Sequence, residues 1–203
     1  MNLLKPTTLE DGNLVNRILR AIGTPSKIVY SPSEDSFLML HALSNIELND
    51  LMVCDIGTGT GILGLFCAIK GADVTVTDVN EIALHETLAA AKRLGIVVKP
   101  VLSDVFAQVN GKFDFVLFNP PYLPSEIVLD RAVDGGPDGL VLTRRFLKDL
   151  PTRLKNNGHG LLLLSSLNNP TKVISEYAKF SFEVLATRQV FFEELQVLYL
   201  RLR

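Results

Sequence analysis

The sequence predicts an α/β protein built on a doubly wound, mainly parallel sheet of seven strands with helices on both faces. Three observations carry that expectation. Short apolar runs alternate with segments of helical periodicity along most of the chain. A glycine-rich turn, Gly57-Thr58-Gly59-Thr60-Gly61, joins one apolar run to a helical segment. A stiff turn, Asn119-Pro120-Pro121-Tyr122, closes another run. Ligands in open α/β sheets gather at the carboxyl ends of strands, so both turns stand where a site belongs.

The first element is a helix over Asn13–Ile22, with Leu14, Val15, Ile18, Leu19 and Ile22 at helical spacing, Asn13 as its cap and Gly23 as its stop. Lys27–Tyr30 reads as a short extended piece. Ser33 then caps a helix that begins with Glu34 and Asp35, an acidic pair suited to the positive end of the helix dipole. Leu51–Ile56 is a buried strand, and Ile62–Lys70 a helix stopped by Gly71. Val74–Thr77 is the next strand and ends at Asp78, after which Glu81–Leu94 forms an Ala-rich helix stopped by Gly95. The third strand is Ile96–Leu102, and Pro100 inside it places it at an edge. Phe113–Phe118 is the fourth strand. The chain is irregular after Tyr122 through Gly139, then helical from about Leu140, with Pro151 bending or restarting that helix before Asn156. Gly160–Ser165 is the fifth strand, Thr171–Lys179 a helix, and Phe182–Val190 and Leu195–Leu202 the last two strands.

Composition narrows the class of function. The 203 residues suffice for one domain around a single core, and 47% hydrophobic content excludes disorder. No apolar run approaches the ~18 residues of a membrane span, and Met1–Pro6 lacks the apolar region of a secretion signal, so a cytoplasmic protein without membrane contact is expected. The formal net charge of −2 leaves no overall basic footprint for nucleic acid. Arg144, Arg145, Lys148, Arg153 and Lys155 read as the solvated face of a helical stretch. Cys54 and Cys67 form no Cys-x-x-Cys pair and read as buried free thiols, while His41, His85 and His159 are scattered, so no metal is expected.

The chemistry lies in the strand ends. A phosphate-binding loop requires G-x-x-x-x-G-K-[ST], which is absent, and a dinucleotide fold requires a third glycine where Ile62 stands. The loop is instead G-x-G-x-G with Asp55 two residues ahead of it. Asp78 follows Gly57 by 21 residues, near the ~20 at which an acid holds a ribose. Asp104 ends the third strand as Asp78 ends the second; strand-end turns and helix caps also favour aspartate, which is the competing reading for both. In the proline turn, Pro120 and Pro121 have no N–H, which leaves the Asn119 side-chain carbonyl and a proline main-chain carbonyl as acceptors. Two acceptors beside the ring of Tyr122 suit a planar NH2 group; a simple post-strand turn is the competing reading.

Taken together, Val29–Ser36, Asp55–Gly61, Thr77-Asp78, Ser103-Asp104-Val105, Asn119–Tyr122 and Gly135–Gly139 resemble the class I S-adenosylmethionine-dependent methyltransferases. Within that class they resemble the HemK/PrmC family, which methylates the side-chain amide of a glutamine in peptide-chain release factors. The similarity runs from about Val29 to the C-terminus. The N-terminal helical domain of the bacterial members has no counterpart, so the chain looks like the short archaeal and eukaryotic branch. The resemblance implies a Rossmann-like core over 46–203, with residues 1–45 as a helical segment covering S-adenosyl-L-methionine, which leaves as S-adenosyl-L-homocysteine. It implies that Gly57, Gly59 and Gly61 pass the methionine part of the cofactor, with Tyr30 and Ser36 closing over it. Asp78 would accept both ribose hydroxyls, Asp104 and the Val105 N–H would hold the adenine, and Asp55 would orient the ammonium or brace the loop. Asn119 and Pro120 would bind the acceptor NH2 group, with Tyr122 lining its slot, and Asn119 would also contact the cofactor. The short branch pairs with a small zinc-binding activator protein, for which the apolar edge strand 96–102 is a ready surface. Adenine N6 and cytosine N4 present the same planar group, so a nucleic-acid methyltransferase is the main rival. A non-catalytic cofactor-binding subunit is a second rival, and an NAD-dependent oxidoreductase the weakest.

Overall fold

A computed structural model of the chain describes residues 9–125 and 134–203. Met1–Pro6, and part of the irregular stretch expected after Tyr122, lie outside the described residues. The sheet has seven strands: β1 (Met52–Ile56), β2 (Asp73–Asp78), β3 (Lys99–Leu102), β4 (Phe113–Phe118), β5 (Leu154–Ser165), β6 (Phe180–Val190) and β7 (Glu193–Leu202). Their order is β3-β2-β1-β4-β5-β7-β6. The first five run parallel, and β7 enters antiparallel between β5 and β6. The described residues include six α-helices, two before β1 and four between later strands: α1 (Leu9–Ile22), α2 (Glu34–Ser44), α3 (Ile62–Ile69), α4 (Glu81–Leu94), α5 (Val141–Arg153) and α6 (Pro170–Glu176).

Side-chain alternation in the central strands distributes the core between the two faces. Val53, Phe115, Leu117, Leu161 and Leu163 join one apolar cluster with α1 to α4. Cys54, Ile56, Val116, Phe118, Leu162 and Leu164 join the other, under α5 and α6. Leu65, Phe66 and Cys67 of α3 are fully buried, and a buried Leu or Phe side chain contributes about 1.5–3 kcal/mol. Both cysteines are free, and burial raises both thiols above their ordinary value, so they remain protonated packing groups.

Several boundaries differ from the sequence reading, each for a physical reason. Helix α1 starts at Leu9, with Asn13 inside it; Asp11 sits in its first turn, the favourable end for an acid, and pairs with Lys70. Lys27–Val29 forms a turn rather than an extended piece, closed by the Val29 N–H on the Ser26 carbonyl. Strand β5 begins at Leu154, because Asn156-Asn157-Gly158, whose composition suggests a turn, forms a bulge against β4. Pro151 lies in the last turn of α5, which ends at Arg153. Helix α6 starts at Pro170, where proline's missing N–H costs nothing, and stops at Glu176. Strand β3 lies at the sheet edge, as Pro100 predicts, although it is shorter than expected.

The carboxyl ends of β1 to β5 all reach one edge of the sheet, and the antiparallel sense of β7 brings its first residue, Glu193, to that edge as well.

Candidate active site

A cavity of about 580 Å³ opens at that edge, within the range of ligand sites. Tyr30, Ser36, Asp55, Gly57, Gly59, Asp78, Asp104, Val105, Asn119, Pro120 and Tyr122 all line it. Gly61 does not; it sits behind the loop, where a Cβ would run into the Thr87 side chain. Gly61 is therefore required by packing between the loop and α4, not by contact with the cavity.

The loop between β1 and α3 is shaped by its own hydrogen bonds. Gly57 and Gly59 both have positive φ, 62° and 54°, a region that disfavours any residue with a Cβ. A Cβ at either would meet only ordinary van der Waals neighbours, so the space before the loop is open. Asp55 is buried beneath it and accepts at Oδ2 from the Thr58 hydroxyl (2.6 Å) and the Gly64 N–H (3.0 Å). Burial pushes its carboxyl up to about 7 against the opposing pull of those two donors. Of the two roles open to Asp55 from sequence, bracing the loop is the one its hydrogen bonds support.

Asp78 accepts the Gly59 N–H at Oδ2 (2.9 Å) and the Asn80 N–H at Oδ1 (2.8 Å), tying the end of β2 to the loop. Burial raises its carboxyl above the ordinary value, opposed by those N–H donors. Asp104 is exposed, and its carboxylate is bidentate with the guanidinium of Arg145 at 3.0 and 2.9 Å. Val105, buried beside it, has φ of 51°, unusual for a β-branched residue. Arg144 pairs with Asp138 and Lys155 with Asp114, so the basic stretch 144–155 is partly neutralised by acids rather than simply solvated.

Asp35 is the residue that sequence reading missed. Its place in the first turn of α2 suggests a role at the helix dipole, yet it is only 3% exposed and lines the cavity. Its Oδ2 accepts the Tyr30 hydroxyl (2.9 Å) and the Asn119 Nδ2–H (3.1 Å). Its Oδ1 accepts the Ser36 N–H (2.6 Å) and lies 3.2 Å from the Ser36 hydroxyl. Four donors fill the lone-pair sites of one carboxylate. The same bonds displace an expected cap: Ser33 occupies the N-cap of α2 without a side-chain bond to the helix, because the Ser36 N–H turns to Asp35. Burial raises the phenols of Tyr30 and Tyr122 well above their ordinary value, and the Asp35 charge adds to the effect.

With Nδ2 committed to Asp35, the Asn119 Oδ1 is buried and has no hydrogen-bond partner among the described residues. A buried unpaired carbonyl is costly, and the residue that carries it lines the cavity beside Pro120. The turn is held from behind. Asn168 donates from Nδ2 to the Tyr122 carbonyl (2.7 Å) and the Asp138 carbonyl (3.3 Å) and accepts the Ser165 N–H at Oδ1 (3.0 Å). Gly135 and Gly139 pack against the carbonyls of Pro121 and Tyr122 so closely that a Cβ at either would overlap them. Glu193 lines the cavity and bonds the Ser165 hydroxyl. Neither Asn168 nor Glu193 carried a local signal, because a helical turn and an antiparallel crossover bring them in.

Residues 33–191 match the model of the methyltransferase small domain. A Methanocaldococcus jannaschii protein, provisionally named a protein N5-glutamine methyltransferase, is 39% identical over 179 residues, covering 84% of this chain and 90% of its own. The Homo sapiens methyltransferase HEMK2 is 32% identical over 162 residues, covering 72% and 76% of the two chains. Among solved structures, the E. cuniculi Mtq2–Trm112 complex, described as responsible for methylating the eRF1 translation termination factor, superposes with a TM-score of 0.72. That match is 26% identical and covers 86% of this chain and 99% of the other. The family model covers well over half of the chain, most of the cavity lining included, and this chain belongs to the methyltransferase small domain family.

Proposed function

We propose that the chain transfers a methyl group from S-adenosyl-L-methionine to the side-chain amide nitrogen of a glutamine, the acceptor being the Gly-Gly-Gln loop of a peptide-chain release factor. The observation that carries the reading is Asn119 on the cavity lining, its Nδ2 held by Asp35 and its Oδ1 left without a partner among the described residues. The likeness to enzymes named for N5-glutamine and eRF1 methylation supports the choice of acceptor. The pairing of Arg144, Arg145 and Lys155 with acids supports a protein over nucleic acid, which requires free cations.

The lining fits the cofactor. Gly57 and Gly59 leave backbone exposed to the methionine part, and Asp78 and Asp104 each retain lone pairs for the ribose hydroxyls and the adenine amino group. Tyr30 and Ser36, on the segment up to residue 45, cover the methionine end. When bound, the cofactor supplies an electrophilic methyl group on a sulfonium. The protein's part is orientation and charge. Asn119 Oδ1 and the Pro120 carbonyl accept the two hydrogens of the glutamine NH2, and Tyr122 flanks its plane. Amide resonance makes that nitrogen a poor nucleophile, so holding it in line with the methyl group is the main contribution. The same acceptors stabilise positive charge growing on the nitrogen. Asp35 does not take the proton, because its lone-pair sites are filled by Tyr30, Asn119 and Ser36; it is a positioning residue, and the proton displaced from the nitrogen as the C–N bond forms and the C–S bond breaks leaves to solvent. A labelled-methyl transfer assay against protein and nucleic-acid acceptors tests the reading.

A small zinc-binding activator protein is proposed to dock along residues 96–102. The support is the edge position of β3, the exposure of Val97 (84%) and Leu102 (52%), and the likeness to a complex with Trm112. Val98, read from sequence as part of this surface, is buried in the core and is excluded from it. Val97→Asp is expected to lower co-purification of the activator at least about tenfold, the weight of a lost interface anchor, with the melting temperature of the isolated chain unchanged. Undiminished capture would move the interface off this edge. Among the described residues no helix is long and apolar enough to cross a membrane, and a release-factor substrate implies work in the cytoplasm.

A further inference from the structure

Phe191 and Phe192 form the two-residue loop of the β6–β7 hairpin and are 93% and 84% exposed. Both turn geometry and solvation argue against these residues. Phe191 has a φ of 49°, a conformation that tight hairpin loops assign to glycine or asparagine. A bulky aromatic there is an outlier, and such outliers cluster at functional sites. Folding alone does not select this pair.

The loop is also held in place. Gln189 donates from Nε2 to the carbonyls of Phe191 (3.3 Å) and Glu193 (2.9 Å), clamping the turn from inside. The Glu194 N–H donates to the Ser166 hydroxyl (3.0 Å), and Arg188 pairs at 2.6 Å with Glu34, the neighbour of Asp35. Strand β5 ends at Ser165 opposite Leu195, so the tip overhangs the edge where the cavity opens. Glu193, one residue beyond the loop, lines that cavity.

We infer that Phe191 and Phe192 are a preformed docking element for the protein acceptor, seating an apolar patch of that polypeptide while its glutamine enters the cavity. The inference rests on the glutamine-acceptor reading. Glu193 and Glu194 follow the aromatic pair directly, a setting that repels a nucleic-acid backbone and suits a polypeptide with apolar and basic side chains. Two phenylalanines offer roughly 300–500 Å², well short of the ~800 Å² per partner of a stable protein interface. The patch is too small to hold a second copy of this chain by itself, but adequate as an anchor for a substrate already engaged at the cavity.

The test replaces Phe191 by Gly and Phe192 by Ser in one variant of the full chain, a pair suited to the turn, so that folding is not compromised. Steady-state methylation is measured, with the activator present, on an intact release factor and on a short peptide carrying only its Gly-Gly-Gln loop. The variant is expected to melt no lower than wild type and to raise KM for the intact factor about tenfold or more, as loss of an aromatic anchor does. Its kcat on the factor and its rate on the peptide should match wild type. An unchanged KM on the intact factor overturns the docking role alone, and an equal loss on the peptide shows a disturbed cavity and overturns it too. A wild-type chain that methylates no protein overturns the docking role together with the glutamine reading. A self-associated wild type that the variant dissociates assigns the pair to a contact between copies.

Discussion

Asn119→Ala is expected to lower kcat by about 10²–10³-fold, the scale on which removing one preorganised polar group at a reacting centre acts. The substitution removes the side-chain carbonyl of the proline turn and leaves the Pro120 carbonyl to orient the NH2 group. Affinity for S-adenosyl-L-methionine should change little, because the loop at 57–61 and Asp78 are tied to each other independently of Asn119. Single-turnover rates with cofactor binding followed by titration calorimetry separate the two effects. Wild-type turnover in the variant would remove Asn119 from the mechanism, and a parallel loss of cofactor affinity would assign it to cofactor binding.

Asp35→Ala is expected to reduce kcat by about 10–100-fold through geometry rather than chemistry. Without the carboxylate, the Asn119 amide is free to turn its NH2 face into the cavity and oppose the acceptor's own donors. The Tyr30 hydroxyl and the Ser36 N–H lose their acceptor as well, at about 1–3 kcal/mol for each buried donor left unpaired. The melting temperature should therefore fall together with turnover. Asp35→Asn keeps one oxygen acceptor and should recover part of both. Steady-state rates and thermal melts on the two variants provide the check. An Ala variant that turns over like wild type would show that Asn119 is oriented without Asp35. A loss of activity in the Asn variant as deep as in the Ala variant would point to the carboxylate's charge instead.

The sequence made the Asn119 acceptor legible and left Asp35 obscure for the same reason: local signals were read well and distant ones were not. The glycine loop, Asp78, Asp104 and the proline turn each sit where a strand ends, so composition and spacing alone place them on one edge of the sheet. Asp35 stands in the first turn of a helix, where an acid already has an ordinary explanation, and its partner Asn119 is 84 residues away. Asn168 enters on the helical turn after β5 and Glu193 through the reversal of β7, neither of which periodicity within a strand encodes. Val98 shows the same limit: it lies just before β3, outside the paired residues, so strand alternation does not govern it and it packs into the core. Gly61 shows the converse, a motif residue whose position follows from packing on Thr87 and not from the cavity.

The most direct test of the account is transfer of a labelled methyl group from S-adenosyl-L-methionine by the chain together with the proposed activator. The acceptors are an intact release factor, the same factor with its Gly-Gly-Gln glutamine changed to alanine, and DNA and tRNA in separate reactions. Label on the intact factor, with none on the alanine variant or on either nucleic acid, is the predicted result. Label on nucleic acid alone would contradict it, leaving the cofactor and the acceptor geometry of Asn119 in place but reassigning the planar NH2 group to a base.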